Sequence, residues 1–268
     1  MVRAKLSVVC AGLLATVALL LSGCSSTPVD ATANMSPAKI YADAKDELNN
    51  SQWERAIALL EKLEGRAAGT PLAQQAQLDK AYALHRSQEP AQALATLERF
   101  QKLHPVSPAM DYAIYLKGLI NFNEDMGLFA RMFIQDLSER DQKASRDAFE
   151  AFKELVDRFP DSKYAPDAKL RMNYIVGSLA SNEVHIARYY YKRGAYLAAA
   201  NRAQTAIQDY RGVPATEEAL FILYKSYDAL GLAELRDDAK RVMERSFPNS
   251  DFITKGGRTL SMPWWKVW

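Results

Sequence analysis

The sequence predicts an all-α protein, a right-handed α-solenoid of about five helix pairs, and three observations carry that expectation. Glycine is scarce, 12 of 268 residues, while strong helix formers such as Ala, Leu, Glu, Lys, Arg and Gln dominate. A stop-start phrase recurs as "LHPVSPAMDY" (103–112), "RFPDSKYAPDAKL" (158–170), "DYRGVPATEEAL" (209–220) and "SFPNSDF" (246–252). Its proline cannot continue a helix, and the small polar residues beside it suit the start of the next. Small residues also recur twelve apart, as Ala44/Ala56, Ala81/Ala93 and Ala187/Ala199, so that two antiparallel helices can approach closely across a short turn.

The first stretch is of another kind. Arg3 and Lys5 precede an apolar run from Leu6 to Leu21, followed by "LSGC" and a small polar stretch. A charged lead, a short apolar core and small residues at the exit predict a signal peptide over 1–23, too short for a comfortable membrane span. Leu21-Ser22-Gly23-Cys24 resembles the lipobox of bacterial lipoproteins. That resemblance implies cleavage before Cys24, a diacylglycerol thioether on it, and a lipidated linker over 24–36. Each buried methylene adds roughly 0.8 kcal/mol, so several acyl chains anchor firmly. In enteric lipoproteins Asp at the next position favours inner-membrane retention, so the resemblance implies, with Ser25 there, the outer membrane. Of the two cysteines, Cys10 would leave with the signal and Cys24 would carry lipid, leaving no thiol for disulfide, metal or nucleophilic chemistry. No cofactor is expected beyond that covalent lipid. Losing Arg3 and Lys5 takes the basic residues from 34 to 32, against 32 acids. A neutral mature chain argues against nucleic acid as a partner.

The solenoid is expected over 37–250. "YADAKDELNNSQWERAIALLEKL", "LDKAYALHRSQEPAQALATLERFQKLHP" and "IARYYYKRGAYLAAANRAQTAIQDYR" repeat one pattern, with an aromatic filling the wedge near the turn. This resembles the tetratricopeptide repeat, a helix-turn-helix of about 34 residues that buries its apolar face only by stacking. The small residue of each second helix falls at Ala56, Ala93, Ala148, Ala199 and, more weakly, Ala239. The long step from Ala93 to Ala148 predicts an insertion in the third repeat, "EDMGLFARMFIQDLSERD" (124–141). The step to Ala199 predicts one long helix, about 166–193, opening the fourth. In the insertion Leu128, Phe129, Met132, Phe133 and Leu137 form an apolar stripe, which either packs on its own repeat or belongs to a partner site. In "EGRAAGTPLAQQ" (64–75), Gly65 and Gly69 are expected to end a helix and Thr70-Pro71 to begin one. Ser162 is expected to cap the long helix.

First helices of such a stack line a concave groove. Helical spacing makes Tyr41, Lys45, Asn49, Tyr82, His85, Arg86, Tyr112, Tyr115, Phe122 and Asn123 its candidates, unless the aromatics are core. An aromatic lining with a few donors would suit an extended peptide with an aromatic or carboxylate end. No catalytic constellation is legible. His85, His104 and His185 lie in different repeats, with His104 at a helix end; Glu217-Glu218 and Asp237-Asp238 suit helix starts, and phosphate loops and nucleophile elbows are missing. An enzyme is therefore not expected. The stretch 251–268 ends in "TKGGRTLSMPWWKVW", with a glycine hinge, three basic residues and Trp264, Trp265 and Trp268. Such rings favour membrane interfaces and protein contacts, or the stretch has no fixed partner.

Lipobox, five repeats, split third repeat and long fourth-repeat helix, in that order over about 35–250, resemble the BamD family of outer-membrane assembly lipoproteins. The segments "MDYAIYLKGLINF" and "SERDQKASRDAFEAFKELVDRFPDSKYAPDAKLRM" are similar to that family's text as well. The resemblance implies a non-enzymatic scaffold, lipid-anchored on the periplasmic face of the outer membrane. Its partners would be BamA, the accessory lipoproteins of the same machinery and unfolded β-barrel proteins, recognised through a C-terminal aromatic signal. It also implies that Arg202, in "AAANRAQ", belongs to the BamA contact. The runner-up, another repeat lipoprotein such as a pilotin guiding secretin assembly, leaves the insertion and the long helix unexplained.

Overall fold

In the computed structural model, residues 32–122 and 142–254 are described, and among them are eleven helices and no strand. They are α1 Pro37–Asn49, α2 Trp53–Arg66, α3 Pro71–Arg86, α4 Pro90–Leu103, α5 Met110–Phe122 and α6 Gln142–Arg158. After these come α7 Ala165–Lys192, α8 Tyr196–Asp209, α9 Ala215–Ala229, α10 Ala233–Ser246 and the short α11 Asp251–Thr254. Each helix packs on the next from α1 to α10, and first helices also touch their own kind, α1 on α3, α3 on α5 and α7 on α9. This is a tetratricopeptide-like stack of helix pairs.

Two kinds of turn build it. Within a pair, Ser51 (φ 56°), Gln88 (φ 65°), Gly194 (φ 76°) and Gly231 (φ 72°) each lie two residues before the second helix, in the left-handed region. Each is followed by the same long backbone bond, Gln52 N–H to Glu47 O, Glu89 to Leu84, Ala195 to Tyr190 and Leu232 to Tyr227. These four bonds satisfy carbonyls that a helix end leaves open. Between pairs, a three-rung ladder recurs: Ala67 N–H to Leu63 O, Thr70 to Ala67 and Ala73 to Thr70; then Leu63's role passes to Phe100 and to Leu155.

The first of these joints lacks the aromatic-proline stop, yet it closes on the same ladder. Gly65 does not end α2; it lies in its last turn, and Ala67 caps it while Gly69 (φ 78°) makes the reversal. Thr70 then caps α3, its Oγ1 accepting from Ala73 N–H at 3.3 Å. Ser162 is not the cap of α7. Tyr164 holds that position, and the Ser162 hydroxyl accepts from Tyr164 N–H at 3.2 Å and donates to Asp111 at 2.7 Å, because the ladder places it two residues too early.

Ala56, Ala93, Ala148, Ala199 and Ala239 are all buried, as the spacing predicts. The fifth copy is shifted, however. Five residues after the turn, where the earlier pairs carry Ala56, Ala93 and Ala199, α10 has Arg236, and Ala239 is three further on. The long helix spans 28 residues and joins two cores. Ile175 and Leu179 pack with Phe100, Ile114 and Phe152, while Val184 and Ala187 pack with Ala199, Ala203 and Ile222. The insertion residues 124–141 lie outside the described residues.

Candidate binding face on the first helices

The first helices carry a connected run of aromatic rings and carboxylates. On α3, Asp79 is nearly buried and is the hub at one end: the Tyr41 hydroxyl of α1 donates to it at 2.9 Å, Gln75 at 3.0 Å, and the Lys45 ammonium lies 3.6 Å away. One turn on, Tyr82 meets Trp53 edge-on, with centroids 6.1 Å apart, and the Arg86 guanidinium lies over that indole at 5.3 Å. Tyr112 of α5 contacts Tyr164 at 5.6 Å, and Tyr115 stacks on Tyr164 at 4.7 Å. The Tyr115 hydroxyl donates to Asp167 of α7 at 2.7 Å, and Arg171 pairs with the same carboxylate at 2.5 Å. Arg171 also lies over Phe122 at 5.1 Å, and Phe122 meets the half-exposed Tyr174 at 5.8 Å.

Electrostatics fix the protonation of this run. Burial, then the charges of Asp79 and the neighbouring tyrosines, push the Tyr112 hydroxyl up; burial and Asp79 do the same for Tyr41. Tyr115 is pushed up to about 12 by burial and by its bond to Asp167. Burial alone would raise Asp167, but Arg171 and Tyr115 outweigh it and hold the carboxylate below its ordinary value. Tyr41, Tyr112 and Tyr115 therefore stay protonated and Asp167 ionised near neutral pH.

The sequence candidates divide in physical terms. Tyr41, Lys45, Tyr82, Tyr112, Tyr115 and Phe122 come together in this run, with the rings half-buried against the core rather than free. They are thus both core and lining. Asn49 is exposed at the end of α1, and Arg86 is spent on Trp53. His85 is turned elsewhere, into a pocket with Leu94, Ile120 and Asn121 between α3, α4 and α5, because it falls on the α4 side of Tyr82. Asn123 and Cys24 lie outside the described residues. Spacing missed Asp79, Asp167, Tyr164 and Arg171. A carboxylate at the position three before Tyr82 was a usable signal for Asp79; Tyr164 and Asp167 belong to a joint and gave none.

In the second half, Arg202 is half-exposed and donates from Nη1 to the buried Glu183 carboxylate of α7 at 3.2 Å. Glu218 does more than favour a helix start: Arg188 grips it with two bonds of 2.6 Å, tying α7 to α9. Asp237 and Asp238 do not begin α10, whose first-turn acid is Glu234; they pair with Arg236 and Arg241 one turn later. Among the described residues, no three His, Cys, Asp or Glu side chains gather as a metal set, and no helix is long and apolar enough to cross a membrane.

The fold defines a helical-repeat protein, and the aromatic run on its first helices is the candidate binding face. The family described as "Outer membrane lipoprotein" (YfiO) matches residues 33–242, and the chain belongs to that family. Its relatives include outer membrane protein assembly factor BamD of Neisseria meningitidis serogroup A, 48% identical over 255 residues, covering 93% of this chain and 96% of that protein. The protein of the same name in Vibrio cholerae is 36% identical over 84% of this chain and 93% of that one, and in Haemophilus influenzae 34% over 86% and 88%.

Proposed function

We propose that the chain is a scaffold of outer membrane protein assembly, lipid-anchored through Cys24 on the periplasmic face and free of catalytic chemistry. Family membership and the name shared by its relatives support the process. The lipobox "LSGC" supports the anchor, which would be the only covalent group. The observation that carries the binding role is the run from Tyr41 through Asp79, Tyr112, Tyr115 and Asp167 to Phe122. Stacked rings offer an extended segment apolar contact, and the tyrosine oxygens and the half-exposed Asp167 carboxylate keep lone pairs that can accept from its backbone N–H groups. An unfolded β-barrel protein presents such a segment. BamA, with the accessory lipoproteins of the machinery, is the expected neighbour at the second half, where Arg202 stands half-exposed.

Binding of a fluorescent peptide from the C-terminal strand of a barrel protein tests the first-helix face. Tyr115→Ala should weaken it roughly tenfold or more, the loss expected when one well-placed aromatic contact is removed. Exposed Asn49→Ala should leave it unchanged. Equal affinity for wild type and Tyr115→Ala would remove this face from the account.

A further inference from the structure

The α10 end of the stack is built as though another pair were to follow. Phe247 N–H to Met243 O, Ser250 to Phe247 and Ile253 to Ser250 repeat the ladder that launches α3, α5 and α7. α11 therefore starts where the first helix of a sixth pair would start, and it contacts α9, a first helix. Ala73, Met110 and Ala165 take the last rung in the other ladders and are buried, at 5%, 3% and 1% exposure, whereas Ile253 is 38% exposed.

Beside Ile253 lies a cleft of about 280 Å³ walled by Phe221, Tyr224, Met243 and Phe252, with Lys240 on its rim. Phe252 is already laid on Phe221, with centroids 5.3 Å apart. The fifth pair departs from the repeat here, since Tyr224 stands where Ala44, Ala81 and Ala187 stand in the others, seven residues before the turn. A helical pair buries its apolar side only against a neighbour, so the end of a stack needs a cap.

The chain continues from the edge of this cleft with Lys255, the pair Gly256-Gly257, and then Met262, Trp264, Trp265 and Trp268. We propose that residues 255–268 are that cap: the chain reverses at the glycines and lays tryptophan side chains in the cleft between α9, α10 and α11. Adjacency favours this seat over the aromatic first-helix face: α11 already touches α9 and Phe252 and Ile253 line the cleft, whereas Tyr115 stands beyond α7, bonded to Asp167 there. An indole also suits a wall of rings and a methionine with a wet, charged rim. The proposal stands independently of the assembly role.

Trp53→Phe in the full chain leaves tail tryptophans as the only indoles. Their emission should be blue-shifted, and acrylamide quenching roughly threefold weaker than for the free peptide 255–268, as for a ring packed against others. Phe252→Ala and, separately, the rim change Ile253→Asp should restore peptide-like quenching while the helical circular dichroism stays unchanged. Peptide-like quenching before either change would overturn the cap. So would shielding that survives both changes, which would place the tail elsewhere, or shielding seen only with anionic lipid vesicles, which would make it a membrane contact.

Discussion

Gln88 and Gly194 occupy the same place in two turns, both with positive φ, and only glycine adopts that conformation without strain. Gln88→Gly should therefore stabilise the protein by about 0.5–1 kcal/mol, after the extra freedom of an unfolded glycine is set against the relieved strain. Denaturant melts would show it as a raised midpoint with an unchanged slope. Two of the four turns were hidden in the sequence for this reason, since Ser51 and Gln88 give no hint of a left-handed residue. Glu64 makes a different kind of prediction. Burial would raise its pKa, but hydrogen bonds from Lys80 and Gln77 and the charges of Lys80 and Arg99 together hold it below 4.5. A depressed carboxyl stabilises the fold above its unfolded pKa and loses that effect as pH falls through the folded value. Glu64→Gln should thus be less stable than wild type at pH 7, with the gap closing below about pH 4.5; a gap that widens on acidification would show the network to be mis-assigned.

Helix by helix, two glycines in α5 and α7 should respond oppositely to the same change. A Cβ on Gly118 would meet the buried Phe152 ring 2.4 Å away, where α5 and α6 touch. Gly118→Ala should cost about 1–3 kcal/mol by overpacking. Gly177 is inside α7 with open space around it, so Gly177→Ala should gain about 0.5–1 kcal/mol from helix propensity. Thermal melts of the two variants should move in opposite directions, and a shared direction would contradict the packing described. The long helix, the alanine pairs and the joints were legible because they depend on local spacing. The carboxylate hubs were not: Asp79 and Asp167 act between helices 38 and 52 residues away in the chain, and no local period encodes such a meeting.

For the molecule as a whole, α7 matters most, because one 28-residue helix belongs to both cores and couples the aromatic face of the early pairs to the Arg202 face of the later ones. Arg202 lies at home on Glu183, a carboxylate 5% exposed. Reversing its charge would set two carboxylates together, so a neutral change is the cleaner probe of a partner. The most direct measurement is a mild-detergent pulldown from outer membranes with the lipidated full chain, comparing wild type with Arg202→Gln at matched helical content. Wild type should recover BamA and the variant markedly less. Recovery of a secretin, or of no BamA with wild type, would contradict the assembly role.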